Sequence, residues 1–557
     1  PALNNAVTQF SARTRNAGGP NSLCSDPFAY QHALPVGTIV LKSIEPNNPS
    51  TTTSARAKGT TNQHNTVYLY LSSDCSGSPV LPGGTEMGTV DFEIPFTAVS
   101  QRCTAISARA VGPLNDESAC SNSLTFAHYN CSQCACPADW IRQIGTSSAD
   151  VGAAVAVINQ AGEPTLVGTT GGNLYGTMGG TDVFLASFGN GAGVDTPSST
   201  RVQFGSPAND VATTGLGVDE GVPGKFVYVA GWTEGDISGI GTPPTGRAAW
   251  IAKYTEFGSK VWVKVFDTDG ADMAVDLVYD AASGGGRLYL LIESTNGNGI
   301  RSPRVLLVAS NGTISSIWDD AATIIDQSAT GITIDTSGDT YIQGRAASSL
   351  AGAKSTNGIA GGGAYVRKLA TNTSATPWVT HWGSSGDDLP INLAFSVTGI
   401  GVRGLFAAAV VNGQVDGSTD AYLGLKDVGY VRINPDDGTQ IWARNFGTPQ
   451  DDVVTAIDVS GPGSGDSLHV LGHTFDALGA SRGGADIFLA KIDRATGAPG
   501  AFRQFGTSND DIAGRAQLVV GTWYVPATSF ADWTGQSRDA CTYDGDGDAV
   551  LMRFCLP

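Results

Sequence analysis

The sequence predicts an all-β protein: a small antiparallel sandwich followed by a seven-bladed β-propeller. Three observations carry this. From Trp140 onward a period of about 60 residues recurs, the mark of a repeat architecture. Each repeat contains short runs rich in Val, Ile, Tyr and Phe, bounded by turn residues, the signature of strands. Ahead of the repeats, residues 41–128 hold further alternating runs. Glycine supplies 73 of 557 residues, which the strand reading assigns to turns, while a 41% hydrophobic share supplies cores and excludes a disordered polymer.

With 51 acidic against 32 basic residues the net charge is −19, and no basic run interrupts it. A field of that sign repels phosphate backbones, so nucleic acid is excluded as a partner. No apolar run approaches the ~20 residues that span a bilayer. Of nine cysteines, seven lie between Cys24 and Cys136 and two, Cys541 and Cys555, near the C-terminus. Clusters of this kind predict disulfides and an oxidising, extracellular setting. A start at Pro1 without a signal peptide fits a processed secreted chain.

Residues 1–40 form an N-terminal extension in which AVTQFSAR alternates like a strand. That strand either lies on its own domain or completes the sheet edge of a neighbour. In residues 41–128, VYLYLSS places Val67, Leu69 and Leu71 on one face, and TVDFEIPF does the same for Val90, Phe92 and Ile94. The segments SIEPNNPSTTTSARAKGTT, VYLYLSSDCSGSPV and TAISARAVGPLNDESACSNSLTF resemble bacterial Ig-like domains. That resemblance implies a disulfide between Cys75 and Cys120. Cys103 is an extra, with Cys24 its most plausible partner. Residues 129–139 are a linker whose Cys131, Cys134 and Cys136 either pin it by disulfides or, with His128, begin a zinc site.

Residues 140–557 are the propeller. The openings WIRQIGTSSAD, WVTHWGSSGDD, WARNFGTPQDD and AFRQFGTSNDD place an Asp five residues after a glycine. Those positions are Asp150, Asp210, Asp388, Asp452 and Asp511, and Asp272 stands five after Asp267. The gap from Asp272 to Asp388 spans two periods, so a divergent fourth repeat enters at IWDDAATII, making seven. A second strand ends on small residues or Thr, as in VYVAGWT and LHVLGHT, and a third reads DVFLASF or DIFLAKI. The whole region resembles bacterial propeller repeats of the SBBP kind. The Trp140 strand has no blade before it and the Asp548 strand no follower, so the first is expected to complete the last blade. A Cys541–Cys555 bridge would reinforce that seam.

The six aligned Asp residues read as turn closers, because a feature repeated at equivalent places in six blades is a structural requirement. Asp544, Asp546 and Asp548 in DGDGDAV are the candidate metal ligands, for calcium, although Ala549 and Cys555 break the EF-hand pattern. GIGVRG at 399–404 lacks the helix a dinucleotide needs, and GASRG at 479–483 lacks the strand–turn–helix of a nucleophile elbow. His469 with His473, and Trp232, Trp382 and Trp533, are read as packing residues.

No catalytic residue is assigned. The functional expectation is a non-catalytic secreted or cell-surface binding and adhesion protein that meets protein or glycan on a propeller face. The alternative is a structural subunit of an extracellular filament or sheath, self-associating through the N-terminal segment. A third reading is an enzyme whose carboxylates or histidines converge at the propeller mouth.

Overall fold

The computed structural model describes residues 6–555 apart from connecting segments, the longer of which are 14–23, 46–53, 98–102, 128–139, 189–199, 355–362, 370–376, 398–402, 460–467 and 534–545. Every described element is a β-strand or turn. At the N-terminus β1 (Ala6–Phe10) and β2 (Phe28–His32) pair antiparallel, from Ala6 opposite His32 to Phe10 opposite Phe28. They form a two-stranded sheet of their own.

Two sheets follow. One holds Val40–Glu45, Ser54–Thr60 and Asp91–Thr97; the other holds Thr85–Glu86, Thr66–Tyr70, Cys103–Val111 and Leu124–Ala127. Both contribute to one core, with Leu41, Ala57, Phe92 and Ile94 from the first meeting Val67, Leu69, Ile106 and Ala108 from the second. Strict alternation places Phe92, Ile94 and Phe96 inward. The expected apolar faces stop at the strand ends, where Leu71 and Val90 are exposed, and Tyr70 is buried instead.

From Trp140 on, the described residues form seven four-stranded antiparallel sheets, the blades of a β-propeller, with an additional short strand in the last. Blades one to six run from the inner strands that begin at Asp150, Asp210, Ala271, Gly331, Leu389 and Asp452. The seventh is built from Asp511–Ala513, Gln517–Val519, Thr522–Ser529 and Asp548–Cys555. Its outermost strand is Trp140–Ile144, paired antiparallel with Asp548–Cys555 from Trp140 opposite Arg553 to Ile144 opposite Ala549. The ring is therefore fastened by its own beginning.

The apolar cores lie between blades, because each sheet hides a face on each neighbour. Blades five and six bury Phe406, Ala408, Val454, Ile457, Val470 and Phe488 together. Blades seven and one meet through Tyr524, Leu551, Val155 and Leu166. Equivalent clusters fill the other five junctions. The inner strands of blades one, two, three, five and six carry a bulge at the same place, as between Ala274 and Asp276, which bends them around the axis.

Candidate functional site

The six aligned Asp residues are buried, one in each blade except the fourth, and each accepts the backbone N–H of the residue four before it. The donors are Thr146, Ser206, Thr268, Ser384, Thr448 and Thr507, at 2.5–2.6 Å. The hydroxyls of the same residues donate to the same carboxylates. The structure thus distributes these groups around the ring and brings no two of the six together.

Sequence reading missed a second Asp at the head of the third strand, at Asp182 and Asp486, and took its equivalent Asp548 for a calcium ligand. The signal was the Gln of the RVQF, RQF and RQI openings. Gln203 Nε2 donates to Asp182 at 2.9 Å, Gln504 to Asp486 at 3.0 Å, and Gln143 to Asp548 at 2.9 Å. The last of these crosses the seam. Between a third-strand Asp and the next blade's turn Asp lies the repeat glycine: a Cβ on Gly205 would stand 2.3 Å from Asp182 Oδ1 and 2.9 Å from Asp210 Oδ2. The glycine is required by that approach. Burial, aided by the charge of Asp427, pushes Asp452 up to about 6.

The DGDGD loop is described only in part. Asp544 and Cys541 lie outside the described residues, Asp546 is exposed, and Asp548 is buried against Gln143. Among the described residues no group of three His, Cys, Asp or Glu side chains could hold a metal ion. Cys131, Cys134, Cys136 and His128 also fall outside them, as do the side chains of Cys103 and Cys555. Cys75 and Cys120 are joined by a disulfide. Cys24, expected to bridge to Cys103, is an exposed free thiol in the connection between β1 and β2. His469 and His473 are packing residues. Burial lowers them to about 3 and about 4, and His469 sits against Trp523 with neither ring nitrogen partnered. Trp382 and Trp533 are buried, and Trp232 is covered by Arg247 at 4.0 Å.

What does converge is the axis of the ring. A cavity of about 170 Å³ is lined by the inner strands of all seven blades, among them Thr214, Asp276, Thr333, Asn392, Asp458 and Arg515. The backbone N–H of Arg515 in blade seven bonds Ala153 O of blade one at 2.8 Å. Its side chain crosses the axis to form an ion pair with Asp276 of blade three and to donate to Thr330 O at 2.9 Å. Asp276 also accepts from Leu277 N at 2.8 Å and Ile332 N at 3.0 Å, the latter in the next blade. Asp458 makes the equivalent link from blade six to seven, accepting from Val459 N at 2.7 Å and Leu518 N at 2.9 Å. Burial nevertheless pushes Asp458 up to about 7. Asp276 and Asp458 place a carboxylate within the inner strand, four and six residues past the turn Asp.

No family model and no curated protein matches the chain. Solved structures similar to it include a neuraminidase-like protein of A/flat-faced bat/Peru, 11% identical with a TM-score of 0.34 over 76% of this chain and 96% of that one. A thermostable family-43 glycoside hydrolase is 12% identical with a TM-score of 0.30, over 66% of this chain and 96% of that one. A β-xylosidase/α-arabinofuranosidase from a compost microbial metagenome is 12% identical, with a TM-score of 0.25 over 55% and 82%. These neighbours are named for glycoside chemistry and not for adhesion, so the expectation of a non-catalytic binding and adhesion protein is withdrawn. At these values the likeness carries nothing more to this chain.

Proposed function

We propose that the chain is the structural subunit of an extracellular filament or sheath, joined to its neighbours through the N-terminal ribbon. The observation that carries this is the β1–β2 sheet, which no third strand joins among the described residues. A two-stranded ribbon is marginal in water by itself, and its open edges are templates for a strand of a second copy. On this reading the sandwich is an Ig-like spacer, the blades are repeats of the SBBP kind, and the disulfide reflects an oxidising exterior. The Arg515 bridge and the blade-to-blade bonds of Asp276 and Asp458 then act as internal bracing. Electron microscopy and sedimentation test the proposal: the full chain is expected to form polymers, and a chain lacking residues 1–35 to remain monomeric. A full chain that stays monomeric at every concentration overturns it.

A second reading, a hydrolase acting on neutral glycans at the axial cavity, is favoured by one observation. Asp458 titrates near neutrality while Asp276, in the same cavity, is ion-paired with Arg515. Carboxyls held in contrasting environments are the usual division between general acid and charged partner. If this is the chemistry, the protein releases reducing sugar from a neutral polysaccharide and Asp458→Asn lowers the rate by at least ~100-fold; no release, or an unchanged rate, removes the reading.

A further inference from the structure

Blade four departs from the repeat. Its inner strand is reduced to Gly331–Ile334 and no turn Asp precedes it. Asp320 and Gln327 occupy the approach to that strand instead. There, between the outer strand Ile314–Asp319 of blade three and the strands Gly363–Leu369 and Trp378–Trp382 of blade four, lies a cavity of about 570 Å³. That volume falls within the ~300–1,000 Å³ of small-ligand sites.

The walls are of two kinds. Trp318, Trp378 and Leu350 are apolar. Arg367 lies over the Trp318 ring at 5.2 Å and donates from Nη1 to Asp320 Oδ2 at 2.8 Å. Gln327 donates from Nε2 to the same oxygen at 2.9 Å, which fixes its amide. The amide oxygen that remains, Gln327 Oε1, is buried and has no partner. A buried acceptor without a donor costs ~1–3 kcal/mol, and an incoming hydroxyl relieves that cost. The charges cancel locally, Arg367 against Asp320 and Lys368 against Asp339 at 2.7 Å. The chain as a whole carries −19, which disfavours an anion.

From these observations we infer that this cavity is a binding site for a short neutral oligosaccharide, whose C–H face packs on the part of Trp318 that Arg367 leaves exposed and whose hydroxyl donates to Gln327 Oε1. Sugars match such a wall because each hydroxyl both donates and accepts while the ring faces are apolar. Trp has the complementary character, a large apolar body with a polar edge. The site lies at the junction of blades three and four, so it is independent of both the ribbon and the axial cavity.

The experiment titrates the full-length protein with cellotriose, maltotriose and xylotriose, reading tryptophan fluorescence and saturation-transfer NMR. Affinity electrophoresis through the parent polysaccharides runs in parallel. Saturable binding of at least one trisaccharide is expected, weakened about ten-fold or more by Trp318→Ala, which is ~1.4 kcal/mol, with both proteins titrated well below their melting temperatures because Trp318 also packs on the core of this junction. Gln327→Leu serves as the second variant, expected to weaken binding without removing the aromatic wall. Retention in the gel marks the polymer as the source of the ligand, and binding without retention marks the free oligosaccharide; both support the inference. It is overturned if none of the three binds, or if both variants bind as tightly as the parent.

Discussion

At the scale of the residue, the buried titratable groups of this protein work in opposite directions. Asp458 and Asp452 are raised to about 7 and about 6 by burial, above the ordinary Asp value. Their contribution is therefore complete below pH ~4 and is lost as pH rises through 6 and 7. His469 and His473 are lowered to about 3 and about 4. Each stays neutral when folded and charges when unfolded, so its contribution is present above pH ~6.5 and lost as pH falls through 4 and 3. Between pH 4 and 6.5 the two effects offset one another. Asp458→Asn removes the more strongly raised of the two carboxyls from this balance. Thermal melts across this range are expected to show the variant gaining on the parent as pH rises from 4 to 7, with a slope of up to ~1.4 kcal/mol per pH unit. Parallel pH profiles would show that Asp458 does not titrate in that window.

At the scale of the element, much of the propeller was legible because a blade is defined by local repetition. The Asp of the opening turn, the alternating second strand and the outgoing DIFLAKI strand all recur along the chain, and each acts on residues close in sequence. The glycine between them has a reason that is only partly local. Asp210 stands five residues after Gly205, but Asp182 comes from the preceding blade and crowds the same glycine. The seam followed from counting strands: one beginning without a predecessor, one end without a follower. Gln143 makes that seam chemically equivalent to an ordinary blade, since it gives Asp548 the bond that Gln203 gives Asp182. The axial residues were not legible in this way. Arg515 and Asp276 are on blades seven and three, and nothing in the spacing of either announces a bond across the axis.

At the scale of the whole molecule, the sandwich is latched to the propeller through charged groups. Asp74 pairs with Lys491 at 3.0 Å, and the backbone N–H of Cys120 points to Asp493 Oδ2 at 3.4 Å. Arg494, only 1% exposed, approaches Glu117, which Arg109 also engages at 3.0 Å. Burial and the neighbouring Arg494 bring Arg432 down to about 10. The Cys75–Cys120 disulfide ties the two contact points of the sandwich together, and Cys75 holds a left-handed backbone with φ 59°. Removing a native disulfide from a small domain costs ~2–5 kcal/mol. Double replacement, Cys75→Ser with Cys120→Ser, is therefore expected to speed hydrogen exchange at residues 491–494 and to lower the sandwich transition while leaving the propeller transition in place. Unchanged exchange at 491–494 would show that the disulfide does not hold the latch.

By itself the sequence determined the all-β class and the blade unit with its turns, because these arise from hydrophobic period and turn chemistry acting within a few tens of residues. Only the tertiary structure decided that Cys24 stays free, that Asp458 is desolvated to near neutrality, that Arg515 spans the axis, and that Trp318 and Gln327 share a cavity with Arg367. Each of these depends on which residues distant in sequence are brought into contact and on how much water is left between them. A spacing along the chain records neither.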